Sequence, residues 1–340
     1  MRMTLREFSE KIGYAPSTIS KALNNKNNCY TSEGIKRIIR EKASELGYSP
    51  NPAARSLIMR SYRTIGVLLP SLGGFYSELV RLMEFALEKK EYSGLFSFWR
   101  PEDGEAGFRK AYERIVGRGI DGIITCHYTA WLKDCGTPVV CYGNMHDDID
   151  CIFLDKIEYG VGAVNFLFNL GHRKIGFIGH TADLRCKSYR AELESKGIPF
   201  NESWTCDHVL TLFDAEVATE NILKLDERPT AILAHNDTVA YSIIHTILKA
   251  GLRVPEDISV VGYDNLPESE YYNPPLTTFD LNIGNVAEVL VDTILRRIAN
   301  PHILVQNIPI RPGIVERGST GQCMKPSKEG CPGENTINHD

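Results

Sequence analysis

From Thr64 to about residue 320 the chain alternates short apolar runs with amphipathic stretches, and that alternation leaves few folds open. The runs are Thr64–Leu69 (TIGVLL, closed by Pro70), Leu95–Trp99, Gly122–Thr125 (GIIT), Pro138–Tyr142 (PVVCY), Lys174–Gly179 (KIGFIG), Ala231–Ala234 and Ser259–Gly262. Between them lie helical stretches, such as the one carrying Leu79, Leu82, Met83, Phe85 and Ala86, and those at 105–118, 161–170, 188–196 and 239–249. Buried strands alternating with amphipathic helices build parallel sheets covered by helices on both faces. The pattern divides into two successive sets of similar size, roughly 64–160 and 161–320. Ligands of open α/β sheets bind beyond the carboxyl ends of the strands, and where two such lobes face each other the cleft between them is the expected site.

The first 48 residues follow a different pattern. Thr4 and Glu7 form a capping box for a helix that places Leu5, Phe8 and Ile12 on one face, and Gly13 stops it. A second helix is expected from Pro16 to Leu23, with Ile19, Ala22 and Leu23 inward and Ser17, Ser20 and Lys21 outward. Its cap position holds Ala15, which has no side-chain oxygen; Pro16 at the first helical position partly offsets this. A third helix follows Thr31, with Ile35, Ile38, Ile39 and Leu46 at helical spacing, and ends at Gly47. Two short helices joined by a tight turn, completed by a third, are the helix-turn-helix pattern, whose second helix offers its N-terminal residues to the major groove. Charge agrees: residues 1–63 hold 12 Lys or Arg and 5 Asp or Glu, a net of +7, whereas the remainder holds 26 and 38, a net of −12. A basic head on an acidic body suits a polyanion-binding module attached to something else.

The expected organisation is a helix-turn-helix domain at 1–48, a hinge helix and linker at 49–63, a two-lobed body at 64–320 and a polar tail at 321–340, rich in Gly and Pro and expected to be disordered. Asn51-Pro52 can start a short helix within the linker, too short to persist alone in water. There is no N-terminal apolar run of the signal-peptide kind and no apolar span of about 18 residues, so a cytoplasmic protein without a membrane segment is expected. The nine Cys are scattered and form no CxxC, so neither a metal site nor a disulfide framework is expected. No G-x-S-x-G elbow, H-E-x-x-H or P-loop occurs, and Gly66 is not followed by a G-x-G-x-x-G turn. These absences argue against an enzyme, and no catalytic residue or cofactor is expected. A free solute-binding protein is disfavoured by the basic helical head.

Several stretches carry a family resemblance: TLREFSEKIGYAPSTISKALN, ELGYSPNPAARSL, RTIGVLLP followed by FYSELV, LGHRKIGFIG, HNDTVAYSIIHTILKAGLRVPEDISVVGYDN and LTTFD. Over residues 3–320 the chain resembles the lactose/galactose-repressor family of bacterial transcription regulators, with GYDN and YYNPPLTTF nearer its purine-responsive members. The resemblance implies an operator-binding head, a body like a periplasmic sugar-binding protein and a homodimer that reads palindromic double-stranded DNA. It also implies a small effector in the cleft that changes operator affinity; sugars are the commonest class, and a purine or nucleoside is the alternative. The implied role is repression of carbohydrate-utilisation genes.

By the same resemblance Pro16, Ser17 and Lys21 take base-reading positions, and Thr18 and Ser20 take positions that meet phosphate or the motif's frame. The loop Asn24 to Tyr30 is about two residues longer than in the purine-responsive members. Residues 51–57 correspond to a hinge helix in the minor groove, with Leu57 as the wedge between central base pairs and Arg55 beside it. Arg185 matches an effector-binding arginine, although Ser188 stands where the family has glycine; Asn236 and Asp264 match effector-contacting positions. Phe75 and Tyr76 lie at the first strand-to-helix turn. Trp99 ends the second strand and His127 follows the third, which makes both candidates for stacking on an effector.

Overall fold

The computed structural model describes residues 3–23, 31–50, 61–70, 73–209 and 211–323. Three expectations fall outside them: the hinge helix at 51–57 with its minor-groove pair Arg55 and Leu57, the lengthened loop between the second and third helices, and all but the first three residues of the tail at 321–340.

The head forms α1 (Leu5–Ile12), α2 (Pro16–Leu23) and α3 (Glu33–Glu45). The capping box starts α1: the Glu7 amide donates to Thr4 Oγ1 at 3.3 Å, and the Thr4 amide donates to Glu7 Oε2 at 2.8 Å. Gly13 ends it with φ 72°, a left-handed conformation that glycine adopts without a Cβ penalty. Ala15 contributes only its carbonyl to α2, accepting from the Thr18 and Ile19 amides at 2.9 and 3.0 Å. Phe8, Ile19, Ala22, Ile39, Ala43 and Tyr48 close the core, with Phe8 stacked on Tyr48 at 4.1 Å. Spacing misplaces three residues: Leu5, Ile38 and Leu46 are 37%, 42% and 38% exposed. The third helix turns Ala43 inward, and Tyr48, just past the helix, fills the space beside Phe8.

The body has two six-stranded sheets. The first orders as β11-β5-β4-β3-β1-β2, from β1 (Thr64–Leu69), β2 (Ser93–Phe98), β3 (Gly122–Thr125), β4 (Val139–Gly143), β5 (Asp150–Leu154) and β11 (Asn307–Ile310). The second orders as β12-β10-β9-β8-β6-β7, from β6 (Ile175–Ile178), β7 (Thr205–Cys206), β8 (Ala231–Ala234), β9 (Ser259–Asp264), β10 (Thr277–Asp280) and β12 (Gly313–Val315). Every pairing is parallel except β10 with β12. The covering helices include α4 (Phe75–Lys89), α5 (Gly104–Val116), α6 (Lys156–Asn169), α7 (Leu184–Ser195), α8 (Leu212–Leu223), α9 (Asp237–Lys249), α10 (Glu268–Tyr271) and α11 (Ile283–Ala299). On α4, Leu79, Met83 and Leu87 are fully buried; each side chain of this kind contributes about 1.5–3 kcal/mol of burial energy.

The lobes are not sequential halves. After β10 the chain returns to the first lobe: α11 packs on α4, β3, β4 and β5, and β11 pairs with β5 before β12 rejoins the second sheet. A buried fork fastens the return, with Arg297 donating from Nε and Nη2 to the two Asp150 oxygens at 2.8 and 2.9 Å. Apolar periodicity identifies a buried element but carries no label for the sheet it joins, so residues 283–310 cannot be assigned to the first lobe by pattern. Among the described residues no helix is long and apolar enough to cross a membrane.

Candidate effector site and nucleic-acid interface

Between the lobes, beyond the carboxyl ends of both sheets, lies a cavity of about 240 Å3. The first lobe supplies Phe75 and Tyr76 at the start of α4, Cys126 after β3, Tyr142 to Asn144 at the end of β4 and Leu154 at the end of β5. The second supplies Lys156, Arg185, His235, Asn236, Tyr263 and Asp264, and Leu281 lies on the crossing segment. The volume falls below the several hundred Å3 usual for drug-sized ligands and suits a single-ring molecule.

Arg185 organises the second-lobe wall. Asp183 caps α7 by accepting from the Arg185 amide at 2.9 Å, and the same oxygen accepts from Arg185 Nε at 2.9 Å. Nη1 donates to the His235 carbonyl at 2.6 Å, Nη2 meets His235 Nε2 at 2.8 Å, and the guanidinium lies over the Tyr263 ring at 4.9 Å. Each terminal nitrogen therefore keeps one N–H for a ligand. Burial alone would raise the Asp183 carboxyl, but Arg185 and then Lys156, 3.1 Å away, outweigh it and hold it well below the usual carboxylate range. Ser188, in place of the family's glycine, is accommodated by Gly160 on α6, where a Cβ would collide with Ser188 Oγ. The serine hydroxyl donates to the Arg185 carbonyl at 3.1 Å.

Several polar groups around the cavity lack partners among the described residues. Tyr142 Oη, Tyr263 Oη and His235 Nδ1 are buried without a hydrogen bond. Since His235 Nε2 faces a guanidinium donor, its proton belongs on Nδ1, the orphaned atom. Burial and then Arg185 push this imidazole down to about 3, so it is neutral near pH 7. Asp264 is 6% exposed, its carboxyl receives no hydrogen bond among the described residues, and its backbone sits at φ 125°, a region L-residues rarely adopt. Burial, then the Asp237 charge, pushes its carboxyl well above the ordinary range, against a pull from Arg185. An unpartnered buried polar group costs about 1–3 kcal/mol, and several converging on one cavity form a set that a polar ligand would satisfy.

The cavity thus gathers five of the sequence candidates: Phe75, Tyr76, Arg185, Asn236 and Asp264. Asn236 also caps α9, its side-chain oxygen accepting from the Val239 amide at 2.9 Å, which leaves its NH2 group for the cavity. Trp99 and His127 are not part of this lining. They pack edge-on against Phe108 of α5, at 5.6 and 4.8 Å, and line a separate recess on the first lobe with Tyr128 and Trp131. Both follow strand ends, but β2 is an edge strand and its terminal tryptophan turns toward α5 rather than the cleft. Sequence reasoning missed Tyr142, Lys156, His235 and Tyr263. His235 and Tyr263 directly precede Asn236 and Asp264, so the strand-end rule that found the latter pair had reached their neighbours. Asp237, weighed as a cap, is a fully buried joint, accepting from the Leu266 amide at 2.8 Å, Ser269 Oγ at 2.6 Å and Thr278 Oγ1 at 2.5 Å.

On the head, α2 buries Ile19 and Ala22 and leaves Pro16, Ser17 and Lys21 exposed, with Thr18 and Ser20 half-buried. Lys21 makes no ion pair among the described residues. By contrast Arg6, Lys36, Arg37 and Lys42 pair with glutamates on their own helices.

A family model described as a periplasmic binding protein-like domain matches residues 164–320. The chain is 30% identical over 333 residues to the HTH-type transcriptional repressor PurR of Aliivibrio salmonicida (strain LFI1238), covering 93% of this chain and 98% of that protein. It is 28% identical over 331 residues to the ribose operon repressor of Escherichia coli (strain K12), covering 93% and 99%. The solved structure of the lac repressor dimer bound to operator and the anti-inducer ONPF superposes with a TM-score of 0.82 at 23% identity, over 94% of this chain and 100% of that one. The chain belongs to the LacI/GalR family of transcriptional regulators. It is accordingly a DNA-binding, ligand-responsive regulator and not an enzyme.

Proposed function

We propose that the chain is a homodimeric repressor of carbohydrate-utilisation genes that binds a palindromic operator and is controlled by a sugar held between its lobes. The observation that carries the effector assignment is the convergence of Arg185, Asp264, Tyr142 Oη, Tyr263 Oη and His235 Nδ1 on one small cavity. Such a wall of donors and acceptors matches the hydroxyls of a monosaccharide better than an apolar molecule. In this reading Asp264 accepts from sugar hydroxyls, Arg185 donates its two remaining N–H groups, and Asn236 donates its amide. Phe75 and Tyr76 cover the ring. The name of the ribose operon repressor supports a sugar of this size.

A purine is the second reading. Phe75 stacks parallel on Tyr142 at 5.5 Å, giving the cavity a flat aromatic wall, and PurR is among the relatives.

On DNA, Pro16, Ser17 and Lys21 read the major groove, while Thr18 and Ser20 meet phosphates or brace the motif. Arg55 and Leu57 engage the minor groove, an assignment resting on their sequence alone. Domains follow at 1–48, 49–63 and 64–320, the last binding both effector and the second protomer, and the protein acts in the cytoplasm, where its operator lies. The second copy packs mainly on α4 and α9 and their counterparts, covering apolar side chains exposed there and on the neighbouring α8, namely Phe85, Leu248, Leu212, Phe213 and Val217, the most exposed being Phe213 at 70%. The dimer in the lac repressor structure supports this assembly.

The test is a gel-shift assay on palindromic DNA with the full chain and with residues 1–60 removed, beside a thermal-shift screen of pentoses, hexoses, their phosphates and purines. Loss of DNA binding on truncation, together with a sugar hit, supports the proposal. A purine hit selects the second reading, and ligand binding by a full chain that never shifts DNA overturns both.

A further inference from the structure

The fold brings His180 beside two metal-ligating groups that lie 27 and 28 positions further along the chain, Asp207 and His208. His180 follows β6, and Asp207 and His208 follow β7 at the carboxyl end of the second sheet. Their ligand atoms all lie within 4.8 Å of one another. The arrangement is anchored at its centre. Asp207 Oδ1 accepts from the Thr181 amide at 2.8 Å, the His208 amide at 2.8 Å and faces His180 Nδ1 at 3.2 Å. These contacts fix the plane of the carboxylate, and Oδ2 lies 3.6 Å from His208 Nε2. His208 is held at φ 56°, a left-handed conformation rare for a residue with a Cβ, which folds the imidazole back toward the carboxylate of its neighbour.

We propose that His180, Asp207 and His208 form a binding site for a divalent transition-metal ion on the effector-binding lobe. Two imidazoles and one carboxylate are the donor set of zinc, nickel and cobalt(II) sites, with water completing the coordination, whereas magnesium prefers oxygen ligands and keeps its own water. Metal–ligand bonds of about 2.0–2.2 Å require the three groups to draw together by about an ångström. The His208 side chain, 82% exposed, can make that movement without disturbing the core. Asp207, tied to two backbone amides, stays where it is.

The position gives the site a consequence for the cleft. The His180 carbonyl accepts from the Asp183 amide at 3.2 Å, and Asp183 holds Arg185. A metal on His180 therefore stiffens the turn that presents the ligand-binding arginine, which goes beyond the effector assignment and does not depend on which effector binds. No spacing in the sequence announces the site, because α7 and β7 lie between the two histidines.

The experiment is calorimetric titration of untagged full-length protein, with all thiols reduced, using ZnCl2, NiCl2, CoCl2 and MgCl2. It is repeated for His208→Ala and His180→Ala, with circular dichroism confirming that each variant is folded. One transition-metal ion per chain is expected, with no magnesium heat. Each substitution should weaken binding at least tenfold, and the cobalt(II) form should show no thiolate charge-transfer band. Binding of equal strength in both variants, a thiolate band, or no transition-metal binding at all overturns the proposal. His208 is exposed enough that its alanine variant is expected to fold, so loss of binding there reads on the site itself.

Discussion

Arg185→Ala tests the cleft at the residue on which most of its contacts converge. The change removes the Nε bond to Asp183 at 2.9 Å, the Nη1 bond to the His235 carbonyl at 2.6 Å, the Nη2 contact with His235 at 2.8 Å and the cation over Tyr263. Hydrogen bonds to charged groups contribute about 1.5–3 kcal/mol each, and breaking a buried ion pair costs about 3–5 kcal/mol. Here the lower end applies, because Asp183 keeps Lys156 at 3.1 Å and the backbone amide of residue 185 at 2.9 Å. The expected loss is about 3 kcal/mol in the unfolding free energy of the body. Effector affinity should fall separately by about 10- to 150-fold, the value of one lost charged contact. Guanidinium unfolding followed by tryptophan fluorescence measures the first, and calorimetric titration with the screened ligand measures the second. Arg185→Lys should recover part of the stability and little of the affinity, since an ammonium replaces the charge but not the planar fork. If Arg185→Ala unfolds at the wild-type midpoint and binds ligand as wild type does, the assignment of this residue is wrong.

Three other outcomes follow from the same geometry. Asp264 has its pKa raised by burial and then by Asp237, so the stability it contributes is fully present below its unfolded value of about 4 and lost as pH rises through the folded pKa. Asp264→Asn should therefore stabilise the ligand-free protein at pH 7, leave it unchanged near pH 3, and weaken effector binding at least tenfold; thermal melts at the two pH values decide it. His235 is depressed to about 3 by burial and then Arg185, so its contribution is present above about pH 6.5 and lost as pH falls toward 3. His235→Gln should flatten the pH profile of the urea midpoint in that window, by up to about 1.4 kcal/mol per pH unit. Lys21→Ala, at an exposed position without an ion pair among the described residues, should leave the melting temperature alone; if Lys21 meets a phosphate, the slope of log affinity against log salt should drop by about one unit.

How much of this was written in the pattern of residues depends on what each part needed. The strands Gly122–Thr125 and Ala231–Ala234 coincide with their apolar runs because every residue in them is buried. Strand Asp150–Leu154 was missed, since it opens on a carboxylate whose burial is explained only by Arg297, 147 positions away. Helix Ile283–Ala299 and the return to the first lobe were missed for the same reason: the contacts that define them are tertiary. In the cleft, Arg185 was found by its match to a family motif, and Asn236 and Asp264 by matching positions at strand ends. Trp99 and His127 obeyed the same rule, yet lateral position in the sheet sends them to α5. The groups without partners, such as Tyr142 Oη and His235 Nδ1, have no signature in sequence, because orphanhood is a property of the surroundings.

The central claim is that a ligand between the lobes is coupled to the DNA affinity of the head. Its most direct test is the fluorescence anisotropy of a labelled operator, a palindrome recovered by selecting random duplexes with the full-length protein, titrated with and without saturating effector. The account predicts a change in operator affinity of about 5- to 150-fold, the usual range of a coupling free energy, and no such change in Arg185→Ala at the same effector concentration. Identical operator affinity with and without effector, at concentrations where calorimetry shows the cleft filled, would contradict it.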